Sequence, residues 1–118
     1  MRFSLRKSFL LLTACIAVFC HASAFAGEAE IDAAAAEALA RRESCFKCHA
    51  IDKKKDGPSY KDVAKKYRGK DGAEAKLLKH LTSGEVVKMA SGEEDEHRIV
   101  KPKDEGELRN LVRWILSM

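Results

Sequence analysis

The chain has no real surplus of charge, no hydrophobic run long enough to span a membrane, no internal repeat and little sign of β-strand. Its formal net charge of +4 misleads. Arg2, Arg6 and Lys7 form a basic start, followed by an apolar run from Phe9 to Ala22 and the small-residue end Ala24-Phe25-Ala26. That is the layout of a cleavable secretory signal, residues 1–26. Once it is removed, 19 basic residues face 18 acidic ones, so nucleic-acid binding has no electrostatic support. The apolar run is too short for a membrane span, and the mature chain is expected in the periplasm without one. Leu12-Thr13-Ala14-Cys15 also fits a lipoprotein signal, which would leave Cys15 as a lipidated first residue, but the apolar stretch runs past it to a good cleavage site.

Cysteine is scarce as well. Of four, Cys15 and Cys20 fall within the signal, leaving Cys45 and Cys48. An exported chain with that pair alone can hold one very short disulfide, a metal or a haem. Removing 26 residues from 118 leaves 92, enough for one domain, 27–118, whose core is small enough to need a staple.

What is present is mostly helical. Asp32 to about Arg42 is alanine-rich with Leu39 its bulkiest residue, a run of high helix propensity behind an Asp cap. Ser59 with Asp62 makes a capping signal ahead of Tyr60, Val63, Ala64 and Tyr67 at helical spacing. Asp71 with Glu74 repeats it before Ala73, Leu77, Leu78 and Leu81, and Ser83-Gly84 ends that third helix. Asp104 and Glu107 start the last, where Leu108, Leu111, Val112, Ile115 and Leu116 trace one stripe flanked by Trp114. Between them, Val86-Val87 and Ile99-Val100 bracket a polar turn around Ser91-Gly92, which reads either as a small hairpin within 85–100 or as a loose loop. The fold class is therefore all-α, four to five short helices.

Cys45-Phe46-Lys47-Cys48-His49 carries the chemistry. Two thiols at i and i+3 reach one side of a turn, where they can add to the two vinyl groups of a haem and leave the next imidazole beneath the iron. A thioredoxin-type redox pair would need a preceding strand, whereas this motif follows a helix. A zinc site would need about four ligands, and His80 and His97 do not fall in a paired spacing with the cysteines.

The stretch CFKCHAIDKKKDGPSYKDVAKKY, from Cys45 to Tyr67, resembles the short bacterial class I cytochromes c; the likeness continues through DGAEAKLLKHLTSG and resumes in ELRNLVRWILS. The resemblance implies a small cytochrome c fold around one covalent haem c, with the first and last helices crossing so that Leu39 meets Leu111 and Trp114. It implies that Pro58 offers its carbonyl to the Nδ1–H of His49, a bond that fixes the ring and strengthens its donation. It also implies an electron carrier rather than an enzyme, with redox proteins as partners.

The sixth ligand departs from the family pattern, because this chain lacks the usual Pro-Met-Pro segment before the last helix. Counting back from Trp114 by the family interval lands at Arg98, beside His97, and so favours His97; Met89 is the alternative. A second histidine lowers the potential and a methionine raises it. His80 is expected at the surface and Met118 at a frayed end. Lys47, Lys53, Lys54 and Lys55 cluster beside the attachment loop, where they would steer acidic partners. An electron-accepting subunit of an exported dehydrogenase, and an open-site haem protein binding small ligands, remain as alternatives. Mass spectrometry of the exported protein is expected to find Gly27 as its first residue; a lipidated Cys15 there would contradict the signal reading.

Overall fold

Asp32 opens the first helix as expected. Its carboxylate accepts the Ala35 N–H at 2.9 Å, and α1 runs Ala33–Arg42. The computed structural model describes residues 29–118; the expected signal at 1–26, with Cys15, lies outside the described residues. After α1 the backbone turns sharply at Ser44, which sits in the left-handed region at φ 61°, into a single 3₁₀ turn, Cys45–Lys47.

Three further helices follow: α2 Tyr60–Tyr67, α3 Ala73–Ser83 and α4 Glu105–Leu116. Ser59 caps α2 by accepting the Asp62 N–H at 3.0 Å. The next free donors of that helix, Tyr60 N–H and Lys61 N–H, are taken by the carbonyls of Ala50 and Ile51, which ties α2 to the attachment loop. Asp104 caps α4 through the Glu107 N–H at 2.8 Å. The third capping expectation fails: α3 begins after Gly72 with no side-chain cap. Glu74, expected to help start it, instead reaches α4 and pairs with Arg109 and Arg113.

The possible hairpin is present. β1 Val86–Lys88 and β2 Glu94–Glu96 pair antiparallel with Val87 opposite Asp95. The described residues thus hold four α-helices, one 3₁₀ turn and one short hairpin, the all-α architecture expected.

The core lies where α1 and α4 cross. Ala36, Leu39 and Ala40 of α1 and Leu111 and Val112 of α4 are completely buried. Alanine at two of the α1 positions lets the helix axes approach closely, and full burial of each large apolar side chain contributes about 1.5–3 kcal/mol. Polar contacts fix the crossing at both ends. Asp32 N–H donates to Asn110 Oδ1 while Asn110 Nδ2 donates to Asp32 O. At the other end the Arg42 guanidinium grips both carboxylate oxygens of Glu107, at 2.8 and 2.9 Å. Trp114 and Tyr60, 5.8 Å apart edge to face, join α4 to α2.

The Arg42 contact and then the Lys103 N–H hold the Glu107 carboxyl down to about 2, well below its ordinary value. A depressed carboxylate contributes stability that is present above its unfolded value and lost as pH falls through the folded one. Denaturant unfolding is expected to show stability falling between about pH 4.5 and pH 2, with a shallower fall in Glu107→Gln. The same slope in both proteins would remove Glu107 from the account.

Candidate functional site

His49 is placed by its neighbours in the chain. Its N–H donates to the Cys45 carbonyl at 2.9 Å, so the imidazole follows Cys45 by one helical turn. The Cys48 carbonyl accepts the Gly57 N–H at 2.8 Å and closes the loop between them. That loop delivers the Pro58 carbonyl to His49 Nδ1 at 2.7 Å. A carbonyl only accepts, so Nδ1 carries the proton and Nε2 presents a lone pair. Burial pulls the His49 pKa below its ordinary value, against the Pro58 bond, which acts in the opposite direction.

Two residues that the sequence did not single out hold the ring. Tyr60 stacks on His49 with centroids 5.4 Å apart and planes 25° apart. Gly57 lies against the ring so closely that a Cβ there would come within 2.6 Å of Cε1. The Gly-Pro step was therefore the available signal, since a glycine beside a residue whose carbonyl must reach a ring marks close approach. Tyr60 in turn touches Phe46 and Trp114 at 5.8 Å each.

Cys45 and Cys48 are free thiols, both half-buried. Burial first of all pushes the Cys45 thiol above its ordinary value, with the Tyr60 hydroxyl working the other way, so it stays protonated at neutral pH. Lys55 folds back to donate to the Phe46 carbonyl at 2.5 Å. Lys47, Lys53, Lys54 and Lys55 are all exposed.

His97 lies just beyond β2, and its ring centroid is 6.3 Å from that of His49. Two imidazoles bound to one metal by bonds of about 2 Å have centroids roughly 6 Å apart. His97 Nδ1 donates to the Arg98 carbonyl at 3.0 Å, so its Nε2 is the nitrogen left free, as in His49. Met89 lies in the hairpin turn, its N–H bonded to Glu93 O, and lines an open acidic hollow with Asp56, Ser91, Glu93, Glu94 and Asp95.

Two expectations need correction. His80 is not a plain surface residue: its side chain is 29% exposed, bonded through Nδ1 to the Glu85 carboxylate, and its ring centroid is 4.0 Å from that of His97. Met118 is not frayed but packs against the core, where its carbonyl accepts from Arg68 at 3.3 Å. The apolar contacts that the end of the chain after α4 gains there outweigh terminal freedom.

Among the described residues, no three His, Cys, Asp or Glu side chains gather closely enough to hold a bare ion. Two thiols on one turn and two imidazoles with free Nε2 atoms are instead a donor set suited to a macrocycle that brings its own four nitrogens. That set on a small helical scaffold defines the class: a single-haem c-type protein.

The cytochrome c family model matches residues 33–118, and the chain belongs to that family. It is 37% identical over 84 residues to cytochrome c-551 of Pseudomonas aeruginosa, covering 69% of this chain and 74% of that one. It is 41% identical over 87 residues to cytochrome c2 of Rhodocyclus tenuis, covering 69% and 89%. Among solved structures it is similar to the class 1 cytochrome MtoD of Sideroxydans lithotrophicus ES-1, with a TM-score of 0.72 and 56% identity over 75% of this chain and 97% of that one. It is also similar to cytochrome c552 of Nitrosomonas europaea, with a TM-score of 0.55 and 30% identity. Membership brings with it one covalently bound haem c.

Gly57→Ala is expected to displace the His49 ring or the Pro58 carbonyl and to cost about 1–3 kcal/mol, the usual range for overpacking, measured by denaturant unfolding of the haem-loaded protein. Unchanged stability and an unchanged absorption spectrum would show that the loop has room to yield.

Proposed function

We propose that the protein is an exported single-haem electron carrier, with residues 1–26 as a secretory signal and 27–118 as the haem domain in the periplasm. Cys45 and Cys48 would hold the haem through thioether bonds, His49 would be the proximal ligand positioned by Pro58, and His97 the second axial ligand. The observation that carries this reading is the 6.3 Å separation of the His49 and His97 rings, each with Nδ1 engaged by a backbone carbonyl.

When bound, haem c supplies the Fe(II)/Fe(III) couple. The work of the chain is to hold its donors still. His49 is braced by Tyr60, Gly57 and Pro58, so its Nε2 keeps one direction whatever the charge at the metal. Burial by Phe46, Tyr60 and Trp114 keeps water from one side of the attachment turn. No side chain is asked to act as acid, base or nucleophile, so the reading is non-enzymatic. The exposed lysines Lys47, Lys53 and Lys54 suit a transient encounter with an acidic donor or acceptor, steered by charge and broken by salt.

The finer choice, His97 over Met89, rests on ring geometry: the His97 ring stands 6.3 Å from that of His49, whereas Met89 lines the acidic hollow at the hairpin turn. Absorption and resonance Raman spectra of the holoprotein are expected to show no sulfur-to-iron band. His97→Ala is expected to lose the six-coordinate low-spin signature and Met89→Ala to keep it. The opposite pattern in the two variants would overturn the assignment.

A further inference from the structure

We propose that His80 is a positioning residue for His97: its ring, held by Glu85, packs on the His97 imidazole and sets the angle at which His97 presents Nε2 toward His49. The inference rests on the reading of His97 as the second axial ligand.

The two sides of the site are braced differently. His49 has Tyr60 stacked on it, Gly57 packed against it and a carbonyl nine residues away fixing Nδ1. His97 has only the carbonyl of the next residue, Arg98, on its Nδ1. That bond fixes the tautomer but moves with the residue it is meant to restrain. The missing brace on the ring is His80, at 4.0 Å between centroids and 47° between planes.

His80 is itself held. It sits in the last turn of α3, a rigid element whose Leu77 and Leu81 are buried in the core, and its Nδ1 donates to the Glu85 carboxylate. Glu85 serves both rings, because its backbone carbonyl accepts the His97 N–H at 2.9 Å. The chain is delivered to this point by Gly84, which ends α3 at φ 65°; a Cβ there would meet the Ile99 side chain at 3.2 Å. One five-residue segment, His80 to Gly84, therefore carries the brace, the helix end and the turn that brings Glu85 to the His80 ring and the His97 backbone. Outer partners of this kind fix ring orientation, and their removal typically loosens a metal ligand on the order of tenfold or more.

The test uses the full-length, haem-loaded protein as His80→Ala and Glu85→Gln, the second being a change at an exposed carboxylate that leaves the core untouched. Two quantities are read: the low-temperature electron paramagnetic resonance spectrum of the ferric state, which reports the relative orientation of two axial imidazoles, and the rate at which cyanide displaces the distal ligand. Both variants are expected to remain six-coordinate with nitrogen ligands, but with a shifted and broadened low-spin signal. Cyanide entry should be on the order of tenfold faster in His80→Ala, with Glu85→Gln in between. Spectra and rates matching wild type in both variants would overturn the proposal. So would loss of the second nitrogen ligand in His80→Ala with its retention in His97→Ala, which would make His80 the ligand itself. A sulfur-to-iron band in the wild type would instead overturn the His97 reading on which the proposal stands, so the two failures are distinguishable.

Discussion

The hydrogen bond from His49 Nδ1 to the Pro58 carbonyl is the constraint on which the rest of the site depends. It selects the tautomer, fixes the ring plane and leaves a single nitrogen to bind a metal. Much of the neighbouring architecture follows from delivering that carbonyl. The loop from Cys48 must close on itself, which the Gly57 N–H to Cys48 bond does. Gly57 must lie flush against the imidazole, which excludes a side chain. Pro58 must lead straight into a capped helix, which Ser59 provides. Tyr60, the first residue of that helix, then comes to rest on the ring it helped to position.

The helical scaffold transmits rigidity to this point. α1 and α4 cross over fully buried Leu39, Leu111 and Val112 and are pinned at both ends, by the Asp32–Asn110 exchange and the Arg42–Glu107 clamp. Trp114 extends that crossing to Tyr60 and so to His49. The opposite side of the site is built from lighter material, a two-stranded hairpin of three residues per strand, which isolated would be marginal. It is stabilised at its ends: Ala90 N–H donates to Asp56 O, next to Gly57, and Val100 N–H donates to Leu81 O in α3. An electron carrier benefits from such an arrangement, because donors that stay put between oxidation states keep reorganisation small.

The sequence made the helices legible because their signals are local. Asp32, Ser59 and Asp104 each cap the helix they precede, and the α4 stripe is the face that is buried. Asp71 misled because the chain enters α3 through Gly72 in the left-handed region at φ 71°, with no side-chain cap, and Glu74 is engaged instead in ion pairs with Arg109 and Arg113. The attachment motif was legible because its chemistry is confined to five residues. The position of His97 was not, because nothing in Glu93-Glu94-Asp95-Glu96-His97 tells a solvated turn from a short strand followed by an imidazole that stands 6.3 Å from the His49 ring. His80 was misread for the same reason, since its partners, Glu85 and His97, meet it only after α3 ends and the hairpin folds back.

Two imidazoles, each with Nδ1 fixed by a backbone carbonyl, stand with ring centroids 6.3 Å apart, and the proposed function has them face one metal from opposite sides. The most direct measurement is a high-resolution crystal structure of the oxidised, haem-loaded protein. The account predicts Nε2 of His49 and Nε2 of His97 each about 2 Å from the iron, with both Nδ1 bonds intact. The Met89 sulfur in the distal position, or no protein atom there at all, would contradict it.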